Sequence, residues 1–128
     1  MMLTVYISHA DCVKHDMGNQ HPEFPGRIGA IHDMLLMKSL LDYMQTCDAP
    51  LATDAQLCAA HSAHYVHDLA ALSPTDGKVQ FDPDTSTHPP TWQAALRAAG
   101  AAVLATDLVI AGKAASAFCN VRPPGHHA

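Results

Sequence analysis

Two short β-rich segments stand at opposite ends of the chain, Leu3–Ser8 (LTVYIS) and Ala115–Val121 (ASAFCNV), with helix-patterned sequence between them. No other feature constrains the fold as strongly. Strand, helices, strand predicts a parallel α/β layer, because parallel strands need a long crossover and helices supply it. At 128 residues there is room for one domain and not comfortably for two.

The segments between the strands divide at turn-forming residues. Asp11–Gly26 is polar, contains Gly18, Pro22, Pro25 and Gly26, and reads as a long loop of the kind that is usually functional or disordered. From Arg27 to about Tyr43, Ile28, Ile31, Met34, Leu35 and Leu41 fall at helical spacing, and Met34, Met37 and Met44 are expected in its core. Cys47–Thr53, with Pro50, breaks the pattern. Thr53 or Asp54 can cap a short helix through Ala60, and Ser62 another through about Leu72. Ser73–Pro90, with an Asp76-Gly77 turn and four prolines, reads as a second loop. Thr91–Ala111 is an Ala-rich helix stopped by Gly112, with Trp92, Ala95, Ala99, Val103 and Ile110 toward its packed side.

The net charge of −5 argues against a direct nucleic-acid partner, which requires a basic face. Apolar runs such as Ala98–Ala105 are short and rich in small residues, so no membrane span is expected. Met1–Ile7 lacks a basic n-region and does not read as a signal peptide, which predicts a cytoplasmic location. There Cys12, Cys47, Cys58 and Cys119 are expected as thiols. Ten histidines in so short a chain are unusual, and histidine is the commonest acid/base and metal-binding side chain.

The chain ends Asn120-Val121-Arg122-Pro123-Pro124-Gly125-His126-His127-Ala128, a buried strand running into a stiff turn and two adjacent histidines. Ligands of open α/β sheets bind at the carboxyl ends of strands, so a tandem histidine there could supply a general base and an electrostatic partner. From pattern alone, a disordered His-containing tail is an equally good reading.

VRPPGHHA resembles the motif of the histone deacetylase and acetylpolyamine amidohydrolase superfamily in its class II-like form. HPEFPGRIGAI (21–31) is similar to that family's loop entering its first helix, AHSAHYVHDL (60–69) to its His-Ser-x-x-Tyr helix, and FDPDTSTH (81–88) to its rim loop. The resemblance implies a three-layer α/β arginase/deacetylase-like fold with a parallel sheet, of which residues 1–128 form the N-terminal portion of one catalytic domain. It implies zinc-dependent hydrolysis of acetyl-lysine or an acetylated polyamine. His127 matches the proton-transferring histidine and His126 its charge-stabilising partner. Asp84, with Asp82 as the alternative, matches the carboxylate that anchors substrate. Arg27 matches a buried arginine near the acetate pocket. The family's zinc ligands, transition-state tyrosine and tunnel phenylalanines lie downstream of the residues matched here. No family ligand for zinc is therefore expected in this chain, which is expected to be inactive alone and to self-associate.

Other histidine groupings read as structural. Cys58, His61, His64 and His67 recur every three residues, but on one helix they would spread over about half the circumference and could not converge on one ion. His9, Cys12, His15, Asp16 and His21 crowd one loop; Val13 and His15 stand where zinc-binding relatives carry Cys, so a solvated loop is expected. His32 and His88 receive no role. Two other functions stay open: a non-catalytic truncated interaction or structural module, and a His-rich metal-binding protein.

Overall fold

The computed structural model describes residues 2–128, with the side chain of His127 outside the described residues. A three-stranded parallel sheet has the order β2-β1-β5, with β1 (Thr4–Ser8) between β2 (Met44–Asp48) and β5 (Ser116–Cys119). As the central strand, β1 is covered on both faces, so its apolar residues run consecutively rather than alternating. Val5 and Ile7 enter a core with Ala49, Ala101 and Ala114, completed by Leu104, Ala105 and Leu108. Tyr6 points to the opposite face, toward α1 (Gly26–Met37), where its hydroxyl lies 3.4 Å from His32 Nδ1. Helices thus flank both faces of a parallel sheet, the three-layer α/β arrangement expected.

Strand β2 was not legible in the sequence, which reads as helix through Tyr43. Helix α1 instead stops at Met37, because Ser39 adopts a left-handed conformation (φ 54°) and the Leu40 N–H bonds back to the Leu35 carbonyl at 2.9 Å. Glycine or asparagine usually marks such a stop, and here serine takes the position without advertising it. Met37 is 77% exposed and Met34 52% exposed, so neither is a core residue, and Met44 is half-buried in β2.

Helix α2 (Asp54–Cys58) opens with a reciprocal capping box between Thr53 and Gln56, and α3 (Ala63–Leu72) is capped by Ser62. Both match the sequence's cap signals. The segment read as a loop at Ser73–Pro90 contains a hairpin, β3 (Val79–Asp82) with β4 (Thr85–Thr87).

Helix α4 (Thr91–Ile110) packs against β1 and β5 through a different stripe from the one expected. Its fully buried positions are Ala94, Gly100 and Ala101, whereas Ile110 is 82% exposed. Periodicity selects large apolar side chains, but close approach selects small ones. At 20 residues α4 is long and apolar enough to cross a bilayer by length and composition, so the estimate from Ala98–Ala105 understates it. A Cβ on Gly100 would meet the Pro50 carbonyl oxygen at 2.0 Å, in a segment also tied to the helix by the Ala52 N–H to the Leu96 carbonyl at 3.0 Å. Because the obstacle is backbone, Gly100→Ala is expected to lower stability by about 1–3 kcal/mol despite the better helix propensity of alanine. Urea unfolding checks this.

Candidate active site

The segment leaving β5 is anchored residue by residue. Asn120 is buried and donates through Nδ2 to the Tyr6 hydroxyl (2.8 Å) and the Ile28 carbonyl (3.0 Å). The Val121 carbonyl accepts from Arg27 Nη2 at 2.7 Å. Arg122 is fully buried and meets Glu23 in a two-point fork, Nε to Oε1 and Nη2 to Oε2, each at 2.7 Å. Its Nη1 donates to the carbonyls of Cys12 (2.9 Å) and His15. Beyond Pro123 and Pro124 the chain makes a single 3-10 turn at Gly125–His127, closed by the Ala128 N–H to the Gly125 carbonyl at 3.1 Å. His126 is exposed on that turn, and the expected role of the His127 side chain lies outside the described residues.

The structure places Arg27 at the strand exit. It is half-buried, bonded to the strand exit, and beside the apolar residues Ala30, Ile31, Met34 and Leu35. The fully buried arginine is Arg122, within the motif itself. A charge survives there because the guanidinium meets a carboxylate fork and two backbone carbonyls.

The loop from Asp11 to Gly26 is largely exposed, as expected, but it buries two residues. A 3-10 turn at Ala10–Val13 buries Cys12, and His15 is only 3% exposed. His15 Nδ1 lies 3.0 Å from Thr91 Oγ1, its Nε2 lies 3.8 Å from Glu23 Oε2, and its ring stacks on His88 at 5.6 Å. His88, which had no role in the sequence, reaches Thr91 Oγ1 through Nδ1 (2.8 Å) and the Lys14 carbonyl through Nε2 (3.1 Å). No sequence signal marks His88, because its partners are 74 residues away and at the start of α4.

Burial, followed by the Arg122 charge, pushes the His15 pKa from 6.5 down to about 4. Burial alone would raise the Glu23 carboxyl, but the hydrogen bonds and charge of Arg122 outweigh it and hold the group below the usual value. Burial raises the Cys12 thiol, so it is not an activated nucleophile. His15 is therefore neutral when folded, while the unfolded chain takes up a proton below pH 6.5. Its contribution to stability is full above pH 6.5 and falls as pH drops toward 4. Unfolding free energy is expected to be about 2 kcal/mol lower at pH 5 than at pH 8. Chemical denaturation across pH checks this, and His15→Asn should flatten the dependence.

Asp82 and Asp84 are exposed at the β3–β4 turn, where Asp82 Oδ1 accepts the Asp84 N–H at 2.8 Å. The hairpin rests on the loop below it through His88 to Lys14 and Ser86 Oγ to Met17 Sδ at 3.5 Å. Cys58, His61, His64 and His67 do not share one helix, since α2 ends at Cys58 and α3 begins at Ala63. His64 pairs with Asp68 at 3.1 Å, and His61 packs against the Tyr65 ring at 5.3 Å. Among the described residues, no group of three or more His, Cys, Asp or Glu side chains could hold a metal ion.

A parallel sheet carries Arg-Pro-Pro-Gly-His-His at a strand's carboxyl end, locked by an arginine–carboxylate fork, and this is the three-layer α/β fold of the arginase/deacetylase class. Residues 21–128 match the model of the histone deacetylase domain. The chain belongs to that family. It is 36% identical over 107 residues to a histone deacetylase-like amidohydrolase of Pseudomonas aeruginosa, covering 84% of this chain and 28% of that protein. It is 30% identical over 129 residues to a probable deacetylase of Archaeoglobus fulgidus, covering 99% of this chain and 35% of the relative. The polyamine deacetylase HDAC10 of Mus musculus is 33% identical over 116 residues, with 82% and 16% covered. The crystal structure of the HDA15 HD domain superposes with a TM-score of 0.91 at 26% identity, over 99% of this chain and 37% of that one. The chain spans about a third or less of the length of these relatives.

Proposed function

We propose that residues 1–128 are the N-terminal portion of a single catalytic domain of a zinc-dependent amide hydrolase acting on acetyl-lysine or a related acetylated amine. The observation that carries this reading is the VRPPGHHA segment, held at the carboxyl end of β5 by the buried Arg122–Glu23 fork. His127 takes the proton-transfer role and His126 the charge-stabilising one. Asp84, or Asp82, anchors substrate from the exposed turn of the hairpin, where a carboxylate can accept backbone N–H groups. Arg27 lies beside the strand exit, where its charge suits a departing carboxylate.

Zinc does not fit a site built from the described residues alone, because their donor groups do not converge. On the family resemblance its ligands lie downstream of the residues matched here, and no step through the metal follows from this chain. The purified 128-residue chain, supplied with zinc and a fluorogenic acetyl-lysine substrate, is expected to show no turnover above background. The longer polypeptide that carries this segment is expected to show turnover that chelation removes and zinc restores. Turnover by the short chain that survives depletion of contaminating deacetylases overturns the division of labour. A zinc-loaded long form without turnover on acetyl-lysine or acetylated diamines overturns the function.

A further inference from the structure

Glu23, Arg122 and His15 take no part in the proposed proton transfer, yet they form a polar cluster, with Arg122 and His15 buried and Glu23 half-buried, between the two elements that would handle substrate. We propose that these three are positioning residues: a frame that holds the tandem-histidine turn and the Asp82–Asp84 hairpin in one fixed relation. The inference rests on the reading of both elements given above.

The frame has two arms that meet at Arg122, whose guanidinium donates to both the Glu23 carboxylate and the His15 carbonyl. On one arm, the Arg122 guanidinium lies flat in the Glu23 fork, which sets both the position and the plane of the group. Arg122 stands four residues before His126, and only Pro123, Pro124 and Gly125 intervene, so the direction of the strand exit fixes where the turn begins. On the other arm, His15 lies beside Glu23 and passes contact through Thr91 Oγ1 to His88, the residue that follows β4. His88 and Ser86 then grip Lys14 and Met17 of the same loop. The hairpin and the histidine turn have no shared strand ladder. The loop carrying His15 and Glu23 bonds the hairpin side through His88 and Ser86 and the strand exit through Arg122.

A purely stabilising role explains this cluster poorly. Apolar residues of similar volume are often as stable as a buried ion pair, or more so. What the fork adds is angle and register, and proton transfer is sensitive to displacements of about 1 Å.

The test uses the isotope-labelled 128-residue chain with Glu23→Gln, Glu23→Asp and Thr91→Val. Glutamine keeps the shape but presents an NH2 to the guanidinium, so the fork opens at one oxygen. In Glu23→Gln, resonances of residues 125–128 and of 82–85 are expected to shift together, with β2 and the last turns of α4 unmoved. Glu23→Asp, which keeps the charge, should recover part of both shifts. Thr91→Val cuts the second arm and should move residues 82–85 with a smaller change at 125–128. In the longer enzyme, Glu23→Gln should lower kcat on a small acetylated amine about tenfold or more, with KM little changed. A folded Glu23→Gln chain in which the two regions stay in place, or move independently, overturns the proposal. So does a folded enzyme variant with wild-type kcat. Should Glu23→Gln fail to fold, Thr91→Val decides the matter: hairpin resonances that stay in place overturn the frame. Failure of the functional reading has a separate signature, a long form whose turnover is absent or survives loss of His127.

Discussion

In the longer enzyme, His127→Ala is expected to lower kcat by about 10²- to 10⁴-fold, the usual worth of a positioned acid/base. Bound zinc should stay near one equivalent, because the assigned task is moving a proton rather than holding metal. Kinetics and metal analysis on the same preparation separate the two roles. Parallel loss of zinc and turnover would assign His127 to coordination instead. Asp84→Ala gives the contrasting result. A carboxylate that anchors the substrate backbone contributes to binding, so KM for acetylated peptides should rise while small acetylated amines are affected less.

The largest expected effect on folding is at Arg122. Arg122→Met removes the cation and leaves the Glu23 carboxylate and the Cys12 and His15 carbonyls without their donors. Breaking a buried pair from one side costs about 3–5 kcal/mol, a large part of the stability of a domain this size. Urea unfolding of the 128-residue chain is expected to show a midpoint far below wild type, or no folded baseline. The double variant Arg122→Met/Glu23→Leu should recover much of the loss, since no uncompensated charge then remains. Equal stability of single variant and wild type would mean that the fork contributes nothing to the fold.

Much of this molecule was written in local chemistry. The two end strands, the Thr53 and Ser62 caps, the long Ala-rich helix and the strand exit before the tandem histidine all follow from short-range pattern, and each stands in the structure. The histone deacetylase family was legible for the same reason, because its motif lies in consecutive residues. Strand β2 was hidden because Ser39 ends α1 in a left-handed conformation that serine seldom signals. The packed face of α4 was misread because contact with Pro50 demands glycine and alanine rather than bulk.

Only the tertiary structure decided the role of the polar residues. Glu23 and Arg122 are separated by 99 positions, and His15 and Thr91 by 76. No window of sequence holds both members of either pair. Burial then changes what each residue is: His15 becomes a neutral core group, Arg122 a paired internal cation, and Arg27 a half-exposed tether to Val121. Sequence determines which side chains are available and in what local conformation. Whether a charge is solvated, paired or buried depends on neighbours that the chain reaches only by folding, because desolvation and Coulomb energies depend on distance in space rather than along the chain.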